Sequence, residues 1–143
     1  MDASKLDLDI RYYCTNNDSR AEGLMHKPPL KSNECAFFIF PYEQMLHFWN
    51  KNVKFDIWVI FCDESFRVKS VKMLRAQQSS PVSSEVPCKY VIEVSVENFE
   101  KKPNFDSFIK KEDQIVLIKE NHSENFENKN FQKMANSIYK SIR

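Results

Sequence analysis

Leu6, Leu8, Ile10 and Tyr12 alternate with Asp7, Asp9 and Arg11, the period of two that a strand shows when one face is buried and the other wet. This predicts a strand over 6–13. Asn16 to Ser19 break the alternation, and Ser19-Arg20-Ala21-Glu22 has the S-x-x-E form of a capping box. A short helical turn is expected there, closed by Gly23 as a left-handed C-cap. Cys35 to Phe40 is an apolar run that stops at Pro41 and predicts a strand over 35–40 buried on both sides. Asp56 opens Ile57 to Cys62, the most hydrophobic stretch and the expected central strand over 56–62. Beyond the turn at Asp63-Glu64-Ser65, Phe66 and Val68 alternate with Arg67 and Lys69, predicting a strand over 66–74. The phase slips at Ser70-Val71, the mark of a β-bulge. Ser and Pro dominate Gln77 to Pro87, an expected irregular loop. Cys88, Tyr90, Ile92, Val94 and Val96 then define a strand over 88–96, and Gln114 to Ile118 a last one.

The tail changes period. Phe131, Met134, Ala135, Ile138, Tyr139 and Ile142 recur at helical spacing and share one face, while Lys140 and Arg143 complement the helix dipole. The polar, Asn-rich stretch Glu120 to Glu127 lets such a helix pack on the strands or reach a partner. The expected organisation is therefore a β domain over 1–119, followed by a linker and amphipathic helix over 120–143. A protein partner or second subunit is expected to meet the helix through Phe131, Met134, Ile138, Tyr139 and Ile142.

Composition narrows the function classes. The 143 residues carry 21 Lys and Arg against 20 Asp and Glu, a net charge of +1, so the broad electrostatic footprint of a nucleic-acid binder is missing. Hydrophobic residues make up 42%, enough to fill one core. No apolar stretch is long enough to span a bilayer and the first residues hold no apolar signal region, so a soluble cytoplasmic protein without membrane contact is expected. Cys14, Cys35, Cys62 and Cys88 form no C-x-x-C and pair with no His at zinc spacing, and three of the four sit in apolar or aromatic runs, as buried free thiols do. His26, His47 and His122 lack ligand spacing. No metal and no cofactor are expected.

Five segments occur in an order with a known parallel: Arg20 followed by Gly23-Leu24-Met25, Ala36-Phe37-Phe38-Ile39-Phe40, Phe48-Trp49-Asn50-Lys51-Asn52-Val53, Phe55-Asp56-Ile57 and Tyr90-Val91-Ile92-Glu93-Val94. Together they resemble the domain of unknown function 192 family, over roughly positions 5 to 118. That family's pattern is an Arg before Gly-Leu-Met, a Phe-rich strand, a Phe-Trp-Met-Lys-Asn segment, an Asp-Ile strand and a Leu-Glu strand. The resemblance implies a mainly β, compact, barrel-like single domain with short helical turns, found in bacteria and archaea and often behind a secretion signal. It implies no established activity. Cys35-Ala36 stands where the family pattern has Gly-Met, Asn50 where it has Met, and later glycines are lost around Glu97 and Glu112.

The matched positions that bear polar or aromatic groups are Arg20, Trp49, Lys51, Asn52, Asp56 and Glu93. A guanidinium fork beside a flat indole suits a small anionic or polar ligand, and the first reading is a non-enzymatic binding or interaction module with a polar-aromatic pocket. The same residues also fit a structural role, with Arg20 paired to Asp56 or Glu93 and Asn52 ending a turn. A second class is a hydrolase using Asp56 and Glu93 as an acid/base pair. A third is a single-strand nucleic-acid binder with Arg67, Lys69 and Lys72 near Phe66. Such a basic face is also the ordinary solvated side of a strand.

Overall fold

The computed structural model describes residues 3–5, 8–96, 114–116 and 119–120. In chain order the elements are β1 (Ala3–Lys5), β2 (Asp9–Cys14), α1 (Asn17–Glu22), β3 (Glu34–Gln44), β4 (His47–Phe48), β5 (Ile57–Cys62), β6 (Val68–Leu74), β7 (Val82–Ser83), β8 (Cys88–Ser95), β9 (Gln114–Val116) and β10 (Lys119–Glu120). The mainly β expectation holds, and five of the six expected strands fall within a few residues of their predicted bounds. The sixth is described only at Gln114–Val116. The amphipathic helix expected in the tail lies outside the described residues.

The main sheet has the order β10-β2-β3-β8-β5-β6. β2 runs parallel to β3 and to β10, whereas β3, β8, β5 and β6 are antiparallel neighbours. The expectation of a barrel is corrected here: among the described residues the sheet is open, with β10 and β6 at its two ends. Two small pairs flank it, β1 with β9 and β4 with β7. Because β2 and β3 are parallel, the chain between them must cross over one face of the sheet, and α1 lies in that crossover.

β3, β5 and β8 alternate apolar side chains to both faces, so each face carries a core. One contains Leu8, Ile10, Phe37, Ile39, Ile60, Phe66, Tyr90, Ile92 and Val94. The other contains Cys14, Leu24, Leu30, Phe38, Leu46, Val53, Phe61, Leu74 and Val91. The expectation that Ile10 and Tyr12 share a face fails because the β2–β3 register moves from Ile10↔Cys35 to Tyr12↔Ala36. Arg11 is the extra residue of a bulge, and the phase after it is inverted. Ile10 and Tyr13 therefore pack on the first core, and Tyr12 and Cys14 on the second.

Other boundaries move for local reasons. α1 begins before the expected capping box: Asn16 is the N-cap, its Oδ1 accepts from Ser19 N at 2.8 Å, and Ser19 Oγ accepts from Asn16 N at 3.1 Å. Pro41 does not end β3, which continues to Gln44. The β3–β8 register instead breaks between Ile39 and Gln44, where a residue without an N–H removes no ladder bond. Phe66 is not a strand residue. It takes φ 63° in the turn after β5, with its N–H donating to Asp63 O, a position normally given to Gly. Its burial against Phe37 and Tyr90, with ring centroids at 5.8 and 5.1 Å, offsets that strain. The expected bulge in β6 is present one residue early, with Lys69 skipped between Phe61↔Ser70 and Cys62↔Val68.

Candidate functional site

A cleft of about 330 Å³ opens on the second face of the sheet. Its floor is Phe38 and Phe40 of β3 with Glu93 of β8. One wall is α1 and the turn after it, from Asn17 to Met25, and the other is His47, Phe48, Trp49, Asn50 and Val53. The crossover from β2 to β3 supplies the first wall, and the β4 strand with its following turn supplies the second.

Glu93 lies in the middle of the sheet, across from Ala36 on β3 and Val59 on β5. It is 3% exposed and makes no hydrogen bond or ion pair with any described residue. Burial alone pushes its carboxyl up to about 8, so at neutral pH it is mostly a neutral acid. Cys14, brought to this face by the Arg11 bulge, lies near enough that Glu93 is the second cause, after burial, of its thiol rising to about 12. All four cysteines are buried and free. Burial likewise pushes Cys88 up to about 11 and raises Cys35 and Cys62, so none is a poised thiolate nucleophile.

Arg20 shares the cleft with Trp49 and Glu93, yet it pairs with neither Asp56 nor Glu93. Its Nη1 donates to Ile39 O at 2.7 Å, its Nη2 donates to Asn17 Oδ1 at 2.9 Å, and the guanidinium lies 5.2 Å from the Phe40 ring centroid. The cause is in the sheet: β2 pairs with β3 only as far as Cys14↔Phe38, so the carbonyl of Ile39 just beyond takes Arg20 as its donor. Arg20 also borders a second, shallower cleft with Thr15, Pro41 and Lys89.

Trp49 is half exposed at the cleft mouth. Lys51 stays outside the lining, its Nζ 5.6 Å from the Trp49 ring centroid. Asn52, at φ 61°, accepts from His26 N through its carbonyl and so ties the α1 turn to the far wall. Asp56 lies outside the lining. Its Oδ1 accepts from Ala76 N at 2.7 Å, its Oδ2 is 3.7 Å from Arg75 Nη1, and its carbonyl accepts from Val96 N. It fixes the start of β5, and no acid/base pair with Glu93 is assembled. The third class fares similarly, since Lys69 and Lys72 pair with Asp63 and Glu85. Among the described residues no three His, Cys, Asp or Glu side chains gather as metal ligands, and no helix is long and apolar enough to cross a membrane.

A family model, DUF192, described as an uncharacterised ACR, matches residues 2–103. The chain belongs to the DUF192 family. Two solved structures are similar to this DUF192 protein. One, from Sinorhizobium meliloti 1021 and described as a candidate transcription regulator, has a TM-score of 0.66 at 16% identity, with 75% of this chain and 79% of that one covered. The other, a protein of unknown function from Novosphingobium aromaticivorans DSM 12444, has a TM-score of 0.59 at 21% identity, with 64% and 67% covered. Such likeness shows the fold. No curated protein matches the chain.

Of the departures from the DUF192 pattern among the described residues, Asn50 lines the cleft, Ala36 pairs with Glu93 across the sheet without joining the lining, and Cys35 packs on the first core. Asn50 is a cleft residue outside the matched polar positions, standing in the family pattern as a departure. It is 1% exposed. Its Nδ2 donates to Phe55 O and Arg75 O, both at 3.0 Å. Both partners are carbonyls, which fixes the amide orientation, and Oδ1 is left buried with no hydrogen-bond donor. His47, Phe40, Phe48 and Asn17 also line the cleft without having been singled out. The aromatic-rich run into Trp49 was the available signal for Phe48.

Proposed function

We propose that this DUF192 domain is a small-ligand-binding module whose site is the cleft between α1, the Trp49 turn and the sheet. The observation that carries the reading is Glu93, a buried carboxyl without a partner among the described residues, on the floor of a concave cleft whose lining includes Phe38, Phe40, Phe48 and Trp49. A buried ionisable group that no neighbour satisfies is costly, and such groups concentrate at functional sites. A volume of about 330 Å³ lies at the lower end of ligand pockets. Asp56, on Ala76 and Arg75, leaves the hydrolase reading without its second carboxyl. The description of the S. meliloti protein as a candidate regulator adds nothing specific, since the likeness to it is one of fold.

The test is a thermal-shift screen of the full chain against sugars, nucleotides, organic acids and amines. A ligand at one hundred times its Kd adds about 2.7 kcal/mol of apparent stability. The shift should shrink in Trp49→Ala and in Glu93→Gln. A screen without any shift, or shifts that persist undiminished in both variants, would reject the site.

A further inference from the structure

We infer that the cleft takes a protonated amine, its ammonium meeting the Glu93 carboxylate on the floor and its carbon skeleton lying against Phe38, Phe48 and Trp49. The inference rests on the binding reading above and adds the charge and donor character of the ligand.

Three observations point the same way. The cleft lining holds a carboxyl that no described residue donates to or pairs with, that of Glu93. An ammonium supplies both the N–H donors and the countercharge that this carboxyl lacks when ionised. Next, the cation already in the cleft is committed: Arg20 gives two donors to Ile39 O and Asn17 Oδ1 and lies on Phe40. Burial is the cause of the upward shift of the Glu93 carboxyl. Finally, aromatic rings attract cations through their faces, and this chain already uses Phe40 and Trp49 in that way for Arg20 and Lys51. Phe48 packs edge-on to Phe38 and Phe61, at 4.9 and 5.7 Å, which holds the wall rigid.

The groups facing Glu93 set the pH dependence. From β2 comes Cys14, neutral because its thiol is raised to about 12. α1 brings Arg20, bonded as above, and Glu22, which is held ionised by its 2.9 Å pair with Lys27. β4 brings His47, exposed on the opposite wall. With Glu93 near 8, the ammonium must displace a proton from it at neutral pH. The proton goes to solvent, and the complex keeps one positive and one negative charge. Affinity for the cation should therefore rise as pH increases, roughly fiftyfold between pH 6 and 8, and level off above that. A neutral or anionic acceptor would show the reverse, because it needs the protonated acid as donor.

The experiment titrates the full chain with n-butylammonium, 1-butanol and pentanoate, three chains of similar size and different charge, by calorimetry and amide NMR at pH 6 and 8.5. The expected result is that butylammonium binds best, tightens with pH and releases about one proton at pH 6. In Glu93→Gln both the preference and the pH slope should vanish while the fold, read from the same NMR spectrum, persists. Nα-acetyl-lysine amide, run alongside, presents the same ammonium on a peptide side chain. Equal binding would support a protein lysine as the natural source, and weaker binding a free amine. Preference for butanol or pentanoate would overturn the amine inference and leave the binding site standing. Absence of binding by all three, with no shift at Phe48 or Trp49, would overturn both.

Discussion

The two faces of the main sheet are built from the same strands and behave differently. On β8, Ile92 and Val94 point to one face and Val91 and Glu93 to the other. The first face is fully buried at its centre: Ile10, Phe37, Ile60 and Ile92 are all within 1% of full burial, and Phe37, Phe66 and Tyr90 stack at tilted or edge-on angles. The second is covered by the β2–β3 crossover and the Trp49 turn, and between those two covers a cleft reaches the sheet. A largely apolar face contributes stability through packing and burial. A face that keeps a neutral acid and an unpaired amide oxygen gives up some stability in exchange for a place that can recognise something. Strand periodicity alone makes the two faces look equivalent.

The largest effect should come from breaking the first face. Phe37→Ala removes a fully buried ring that touches Phe66 and Tyr90, and a cavity of that kind costs about 3–5 kcal/mol. Nothing ionisable changes, so urea unfolding should show nearly the same loss at pH 6 and pH 8.5. A loss that varied strongly with pH would mean the two faces are coupled.

Glu93→Gln probes the open face and is the next largest. The folded carboxyl titrates near 8 against an ordinary 4.5. Between those values the native state therefore holds a proton that the unfolded chain has released. Wild-type stability should fall as pH rises through this window, by on the order of 3 kcal/mol between pH 5 and 8. Glu93→Gln has no such proton and should lose that slope. Its melting temperature relative to wild type should climb steadily from pH 5 to pH 8. Parallel curves would show that Glu93 is ionised in the fold and has a partner after all.

Asn50→Ala comes third. It orphans the Phe55 carbonyl and takes one of two donors from Arg75 O, which keeps Gln78 N, and the two losses together cost about 2–3 kcal/mol. The damage should be local, seen as faster amide exchange in the 50–55 turn while β3 and β8 keep their protection.

How far the sequence could be read follows from which of these features are periodic. Alternation located β3, β5 and β8 because both their faces are apolar. The ordered segments brought Arg20, Trp49 and Glu93 into one group, and the fold sets all three around one cleft. The Arg11 bulge was invisible, since one inserted residue inverts the phase of everything after it without altering composition. That inversion is what carries Cys14 toward Glu93. Asp56 read as chemistry because it is a charged residue in a matched segment, whereas its carboxylate is spent on a turn amide and a strand start. Asn50 was the opposite case, a residue whose role depends on carbonyls contributed from positions five and twenty-five residues away.

The smallest effect belongs to Gly23, at the seam between cover and sheet. It is the chain's one glycine, with φ 50° and ψ −125°, so it is not the left-handed C-cap that its place after α1 suggests. This backbone region is open almost only to Gly. A Cβ built there would lie 3.3 Å from Cζ of Phe38, a ring already held by Phe48. Gly23→Ala should cost about 1–3 kcal/mol from strain, and the Phe38 ring must give by a few tenths of an ångström to admit the Cβ. The two contributions separate in a double-mutant cycle with Phe38→Leu, whose slimmer side chain relieves the contact and leaves the backbone strain. If most of the loss survives in Gly23→Ala/Phe38→Leu, Gly23 serves the turn. If most of it disappears and butylammonium binding is weakened only in the single Gly23→Ala variant, the glycine is there to keep Phe38 clear of the cleft, and the open face depends on its cover as well as on Glu93.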